Sequence, residues 1–145
     1  MNRSRTGNDR YVTQTSTTQD LVVALRPEPA AVGAARRLLV RAGLDADLNH
    51  TVCLLTSELV TNCVRHAGLS EGDRIVLAAR LGGEYVRVEV RDPGSGFDPD
   101  VRHGAPGYGL RMVDMLASRW GVDRDESGCR VWYEVDRRRR RFDRD

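Results

Sequence analysis

SELVTNCVRHA, residues 57–67, ends a segment in which apolar residues recur with helical spacing. The recurring apolar residues are Leu48, Val52, Leu55 and Leu59. Their steps of four, three and four positions predict one buried stripe on a long helix. Asn62 projects within about 20° of this stripe, and Glu58 lies about 60° from it. Two polar side chains, one helical turn apart, therefore interrupt a face that is otherwise apolar.

These two polar side chains need partners, because an unpaired buried amide or carboxylate costs about 1–3 kcal/mol. Asn62 can offer its carbonyl oxygen to Mg²⁺, which prefers oxygen ligands and is completed by phosphates and water. Glu58 can take the proton of a hydroxyl or water that attacks a γ-phosphate. Arg65 and His66 follow near the expected phosphate position, and we assign His66 no catalytic role. The alternative is a surface helix whose Glu58 and Asn62 contact only solvent.

A second block, RDPGSGF at residues 91–97, follows a predicted strand that alternates valines with charged residues. The period of two places Asp92 on the inward side of that strand. An ionised carboxylate only accepts hydrogen bonds, and the exocyclic amino group of adenine is a suitable donor. Gly94 and Gly96 would let the backbone pass close to a flat ring. Asp-Pro-Gly is also a common turn sequence, and this alternative stays open.

The third block is GAPGYGLRMV, residues 104–113, in which glycines precede an amphipathic helix. Free backbone N–H groups and the positive end of a helix dipole favour phosphate at such a junction. Residues 98–106 would then form a lid over a nucleotide. An ordinary mobile connector is the alternative. The block is neither a dinucleotide fingerprint, since no strand immediately precedes it, nor a P-loop, since it lacks G-K-[ST].

Periodicity and turn residues predict an α+β fold in which helices cover one face of a sheet. The predicted strands are residues 20–26, 75–81, 85–91, 120–123 and 129–135. The predicted helices are residues 30–41, 45–67 and 108–118, with Asp45 at the N-cap of the second. Gly82 and Gly83 separate two strands that should pair as an antiparallel hairpin.

The 145 residues suit a single domain with its own core. The net charge is +2 and every basic residue other than histidine is arginine, which excludes a catalytic lysine. Three cysteines without a C-x-x-C pair or a signal peptide favour a soluble, cytoplasmic protein without disulfides. We expect a disordered leader over residues 1–18, a domain over 19–136 and a solvated arginine-rich tail over 137–145.

The three blocks, in this order, resemble the ATP-binding boxes of the GHKL superfamily of gyrases, chaperones, histidine kinases and mismatch-repair ATPases. The first block and the short lid most resemble the stand-alone anti-sigma factor serine/threonine kinases of bacteria, and GCRVWYEV resembles their closing strand. The resemblance implies a two-layer α+β fold of the Bergerat type, with a mixed, mostly antiparallel sheet, and it implies ATP and Mg²⁺ as ligands.

The resemblance also assigns roles to individual residues. Glu58 would be the general base, Asn62 the Mg²⁺ ligand and Asp92 the adenine-binding carboxylate. The other nucleotide-binding residues would be Arg65, Gly94, Gly96, Phe97, Gly107, Tyr108, Gly109, Leu110 and Cys129. Cys129 departs from the family, which usually has threonine after the closing-strand glycine. Because Cys129 is in phase with Val131 and Tyr133, we expect it to point inward and to alter affinity without abolishing binding.

The function implied by the resemblance is transfer of the ATP γ-phosphate to Ser or Thr of an anti-sigma antagonist, together with sequestration of a sigma factor. The alternative is a regulatory module that binds ATP without phosphoryl transfer. A histidine kinase is the less favoured expectation, because 145 residues leave no room for its helical dimerisation domain. Gyrase-like ATPases use a lysine, and this chain contains none. The arginine run at 137–141 makes nucleic-acid binding a third candidate function, since arginine runs attract phosphate backbones. A solvated tail is the preferred interpretation of this run. We expect no membrane partner, and homodimer formation stays open.

Overall fold

The computed structural model describes residues 20–94 and 110–137, which form three helices and five strands. The helices are α1 (Ala30–Arg41), α2 (Ala46–His66) and α3 (Leu110–Leu116). The strands are β1 (Asp20–Leu25), β2 (Ile75–Arg80), β3 (Tyr85–Asp92), β4 (Arg119–Asp125) and β5 (Gly128–Asp136). The predicted leader, the predicted lid and residues 138–145 of the predicted tail lie outside the described residues.

The five strands form one sheet in the order β1-β2-β3-β5-β4. Every neighbouring pair is antiparallel, and the predicted hairpin between β2 and β3 is confirmed. Gly83 has a φ of 90° in the connection, a left-handed conformation that favours glycine. The predicted α+β class is confirmed. The sheet expected to be mixed is antiparallel throughout the described strands.

One face of the sheet carries the apolar core because β2, β3 and most of β5 alternate between buried and more exposed residues. The buried strand residues include Ile75, Leu77, Val86, Val88, Val90, Val131 and Tyr133. From α2, Leu48, Val52, Leu55 and Leu59 pack into the same cluster, which confirms the predicted stripe. The inward residues of the strands, spaced by two, and the apolar stripe of α2, spaced by 3.6, therefore pack into one core between the helices and the sheet.

The first two helices end at the glycines that the sequence predicts as stops, but the N-cap residue of α2 makes a different contact from the one expected. Gly43 and Gly68 have φ values of 110° and 70° just beyond α1 and α2. Asp45 occupies the N-cap position of α2, but its side chain makes no capping hydrogen bond. Its Oδ2 instead accepts a hydrogen bond from Nε of Arg137 at 2.7 Å. The side chain of Asp45 therefore ties the start of α2 to the end of β5.

Arg137 was predicted to begin a solvated tail, and the structure corrects this for that residue. Its guanidinium donates to the carbonyl oxygen of Gly83 at 2.7 Å and also to that of Leu81. Its backbone N–H donates to the carbonyl oxygen of Glu84 at 2.9 Å. Arg137 thus joins the β2–β3 connection to α2, and it belongs to the folded unit.

The other face of the sheet carries charged side chains that pair across the strands. Glu134 on β5 lies between Arg87 on β3 and Arg119 on β4 and accepts hydrogen bonds from them at 2.8 and 2.6 Å. Arg130 likewise bridges Glu89 and Asp123. Alternating opposite charges stabilise neighbouring strands. Across its central and β4-side strands, this face therefore presents ion pairs where the opposite face presents an apolar core.

Candidate functional site

The position of α2 over the sheet is fixed by a buried tyrosine. The hydroxyl of Tyr133 on β5 lies 2.8 Å from Oγ1 of Thr56, and it donates to the carbonyl oxygen of Val52 at 3.0 Å. Burial raises the pKa of Tyr133, so the hydroxyl stays protonated as a donor. These polar contacts inside the core hold α2 against β5 about two to three turns before Asn62.

Asn62 and Glu58 differ in exposure, as the helical projection predicts. Asn62 is buried, with only 3% of its surface exposed, and its Nδ2 has no hydrogen-bond partner among the described residues. Glu58 is half-buried, and Arg65 is exposed in the last turn of α2. A buried amide without a partner is costly. The side chain of Asn62 therefore has hydrogen-bonding capacity that the described part of the protein does not use.

Asp92 ends β3 as a buried carboxylate with 5% of its surface exposed. The thiol of Cys63 donates to its Oδ2 at 3.2 Å, and the backbone N–H of Gly94 donates to its Oδ1 at 2.9 Å. Burial raises the pKa of Asp92, and these two hydrogen bonds offset only part of the effect. Because Cys63 directly follows Asn62, this contact brings the first and second sequence blocks together.

Cys129 lies directly opposite Asp92 in the pairing of β3 with β5, and it is buried as predicted. Burial raises the pKa of both Cys63 and Cys129, and the charge of Asp92 raises them further. Both thiols are therefore neutral, and Cys63 serves as a hydrogen-bond donor. Sequence reasoning missed Cys63, because a cysteine on an apolar helix face is ordinarily a small core residue.

Two glycines allow the backbone to close around Asp92. A Cβ on Gly94 would lie 2.3 Å from the carbonyl oxygen of Ala67, so packing against the end of α2 already requires glycine there. A Cβ on Gly128 would lie 1.9 Å from the carbonyl oxygen of Asp92, and its φ of 138° also favours glycine. The predicted contact of Gly94 with a nucleotide ring stays a prediction.

The third block is described only from Leu110 onward. Leu110 is half-buried at the start of α3, and α3 contacts both α2 and β4. The other candidate residues of the lid region, Gly96, Phe97, Gly107, Tyr108 and Gly109, lie outside the described residues. The described end of this block therefore packs against the helix that carries Glu58 and Asn62.

Comparison with known proteins places this arrangement in a family. The family described as "Histidine kinase-like ATPase domain" matches residues 23–134. The chain belongs to this ATPase family. No curated protein sequence matches the chain. The predicted membership of the GHKL superfamily is thus confirmed, and an ATPase domain implies ATP binding.

Two solved structures share the fold of this ATPase domain. The structure of the RsbU and RsbW domains of Rv1364c from Mycobacterium tuberculosis is 24% identical, with a TM-score of 0.62 over 81% of this chain. The histidine kinase domain of the blue-light activated kinase EL346 from Erythrobacter litoralis is 22% identical, with a TM-score of 0.52 over 74%. The matches span 32% and 60% of those chains, respectively.

The ATPase domain also has an open groove of about 960 Å³ between α1 and α2. Among the predicted site residues, Glu58 lines this groove, whereas Asn62 and Asp92 do not. Glu58 therefore lines the groove, one helical turn before the buried Asn62. Within the described residues, no helix combines the length and hydrophobicity needed to cross a membrane.

Proposed function

We propose that this ATPase domain is a protein serine/threonine kinase that transfers the ATP γ-phosphate to a Ser or Thr of an anti-sigma antagonist. We further propose that it sequesters a sigma factor when it is not bound to that antagonist. The observation that carries this proposal is the buried Nδ2 of Asn62, an N–H donor that has no hydrogen-bond partner among the described residues and that is next in sequence to the thiol that holds Asp92. Such a donor suits a site that a ligand with acceptor oxygens completes.

The nucleotide would be recognised at its two ends by different residues of this chain. Asp92 would accept a hydrogen bond from the adenine amino group, since its carboxylate has lone pairs beyond those used by Cys63 and Gly94. The side-chain oxygen of Asn62 would bind Mg²⁺, which neutralises phosphate charge when it is bound. Arg65 and the glycine-rich segment before Leu110 would bind phosphates.

Glu58 would act as the base because it lines the open groove one helical turn before Asn62. The acceptor hydroxyl would attack the γ-phosphorus, the bond to the β-phosphate oxygen would break, and ADP would leave. Glu58 would accept the hydroxyl proton. The structural match to a protein with an RsbW domain supports the anti-sigma assignment at the level of fold.

The test is Glu58→Gln, which keeps the size of the side chain and removes the base. We expect ATP affinity to stay within about twofold, while phosphate incorporation into a cognate antagonist falls by at least about 100-fold. Isothermal titration and radiolabel transfer would measure these two quantities. Equal phosphorylation by both proteins would rule out Glu58 as the base. ATP binding without phosphorylation by the wild type would favour the non-catalytic regulatory module.

A further inference from the structure

The groove between α1 and α2 is lined by an unusual concentration of positive charge. Arg36, Arg37 and Arg41 on α1 line it and are all exposed. None of the three forms an ion pair within residues 20–94 and 110–137. On the charged sheet face, by contrast, Arg87, Arg119 and Arg130 are paired with carboxylates.

Helix stability does not explain this arginine cluster. Arg37 and Arg41 are four residues apart, and like charges at this spacing destabilise a helix by about 0.2–0.5 kcal/mol. Arg41 lies in the last turn, where the helix dipole favours a cation, but Arg36 and Arg37 lie before that turn. Two adjacent cations beside a third thus suit a negatively charged partner better than they suit an isolated helix.

The groove also offers apolar contact and ends at an acidic side chain. Val40 lies among the arginines with 47% of its surface exposed, and Leu54 lines the α2 side. Glu58 lines the same groove. Among the described residues that line the groove, there is no Phe, Tyr or Trp to stack on bases, and a nucleic-acid backbone has no apolar side chain to cover Val40 and Leu54. A protein segment with acidic residues for the arginines, an apolar side chain for Val40 and a hydroxyl-bearing residue at Glu58 matches all three features.

We infer that the groove between α1 and α2 binds an acidic segment of the protein substrate and delivers its hydroxyl-bearing residue to Glu58. The carboxylates of the segment would pair with Arg36, Arg37 and Arg41, and an apolar residue would cover Val40. The 12 residues of α1 extend about 18 Å, enough to contact a short helix or extended segment. This inference rests on the proposed function for the role of Glu58.

The experiment compares Arg37→Glu with the matched control Arg26→Glu in the full chain. Arg26 is exposed and lies outside the groove, while Arg37→Glu creates a favourable Glu–Arg pair with Arg41 and should fold. The probe is a fluorescent peptide with one serine, one leucine and several glutamates. Its matched peptide carries glutamines in place of the glutamates. Anisotropy at low salt measures peptide binding, and titration calorimetry measures ATP binding.

We expect the acidic peptide to bind the wild type and Arg26→Glu alike, and Arg37→Glu to weaken it at least about tenfold. ATP affinity should be unchanged in both variants. Absence of binding, equal binding of both peptides, or displacement of the acidic peptide by duplex DNA would overturn the inference. Failure of ATP binding in the wild type would instead contradict the proposed function, because peptide binding is measured without nucleotide.

Discussion

Asp92 and Glu134 are both buried carboxylates on adjacent strands, but they lie on opposite faces of the sheet. Glu134 accepts hydrogen bonds from two guanidinium groups, Arg119 and Arg87, which outweigh the effect of burial and lower its pKa. Asp92 accepts hydrogen bonds from a thiol and a backbone N–H, and burial raises its pKa. One carboxylate is neutralised by the protein, whereas the other lacks a strong cationic partner.

This difference separates a structural carboxylate from a candidate ligand-binding one. The ion pairs with Arg87 and Arg119 satisfy the hydrogen-bonding capacity of the Glu134 carboxylate. This side chain therefore helps to hold β3, β4 and β5 together. Asp92 has weaker donors on both oxygens, and Nδ2 of Asn62, the residue before Cys63, has no hydrogen-bond partner within residues 20–94 and 110–137. Buried polar groups usually have their hydrogen bonds satisfied. We therefore propose that a ligand binds beside these polar groups on the helix-covered face.

The largest effect on ATP affinity is expected when Asp92 is replaced by its amide, with the same replacement at Glu134 as the comparison. Asp92→Asn should weaken ATP binding at least about tenfold, or about 1.4 kcal/mol, because the amide presents a donor to the adenine amino group. Glu134→Gln should leave ATP affinity unchanged, since it alters only the opposite face. Titration calorimetry with Mg²⁺ and ATP compares the two variants. Equal loss of affinity in both would remove the distinction between the faces.

An intermediate effect is expected from the thiol that supports Asp92. Cys63→Ser keeps a hydrogen-bond donor and should bind ATP within about twofold of the wild type. Cys63→Ala removes the donor and should weaken ATP binding about threefold to tenfold, since the carboxylate loses one of its two hydrogen bonds. Fluorescence competition with a labelled nucleotide resolves differences of this size. Identical affinities for serine and alanine would show that the contact does not position Asp92.

The smallest effect is expected in the pH dependence of stability, where the two carboxylates should act with opposite signs. The pKa of Asp92 is raised, so its contribution is present below its usual value of 3.8 and lost as pH rises through the folded value. The pKa of Glu134 is lowered, so its contribution is present above 4.5 and lost as pH falls through the folded value.

Thermal unfolding measured from below pH 3.8 up to neutral pH tests this contrast. Relative to the wild type, Glu134→Gln should lower Tm by about 2–4 °C at neutral pH and by less in acid. Asp92→Asn should raise Tm at neutral pH, or lower it less than Glu134→Gln does, because it removes a buried charge. Parallel pH profiles for both variants would contradict the opposite pKa shifts.

The local sequence predicted most of the elements, because periodicity follows directly from helix and strand geometry. Asn62 and Asp92 were placed inward by counting alone, and the structure buries both. Counting alone puts Glu134 on the face of β5 that points away from the core, where it lies, but counting gives no sign that this side chain is buried. Its burial depends on Arg87 and Arg119, residues 47 and 15 positions away that the strand pairing brings to either side.

The candidate site divides in the same way. Residue types and spacing were enough to select Glu58, Asn62 and Asp92 as an acid, an amide and a second acid suited to nucleotide chemistry. The thiol contact between Cys63 and Asp92 joins residues 29 positions apart, so no local pattern contains it. The arginine cluster of α1 was likewise visible as charge, but its groove exists only where α1 packs beside α2.

By itself, the sequence determined which side chains face inward, where most helices and strands lie, and which three blocks we propose for nucleotide binding. These follow from backbone geometry, which acts over a few residues. Only the tertiary structure decided which carboxylate is neutralised by arginines, which is held by a thiol, and that Glu58 borders a basic groove. Those outcomes depend on strand order and helix packing, which bring together groups that are distant along the chain.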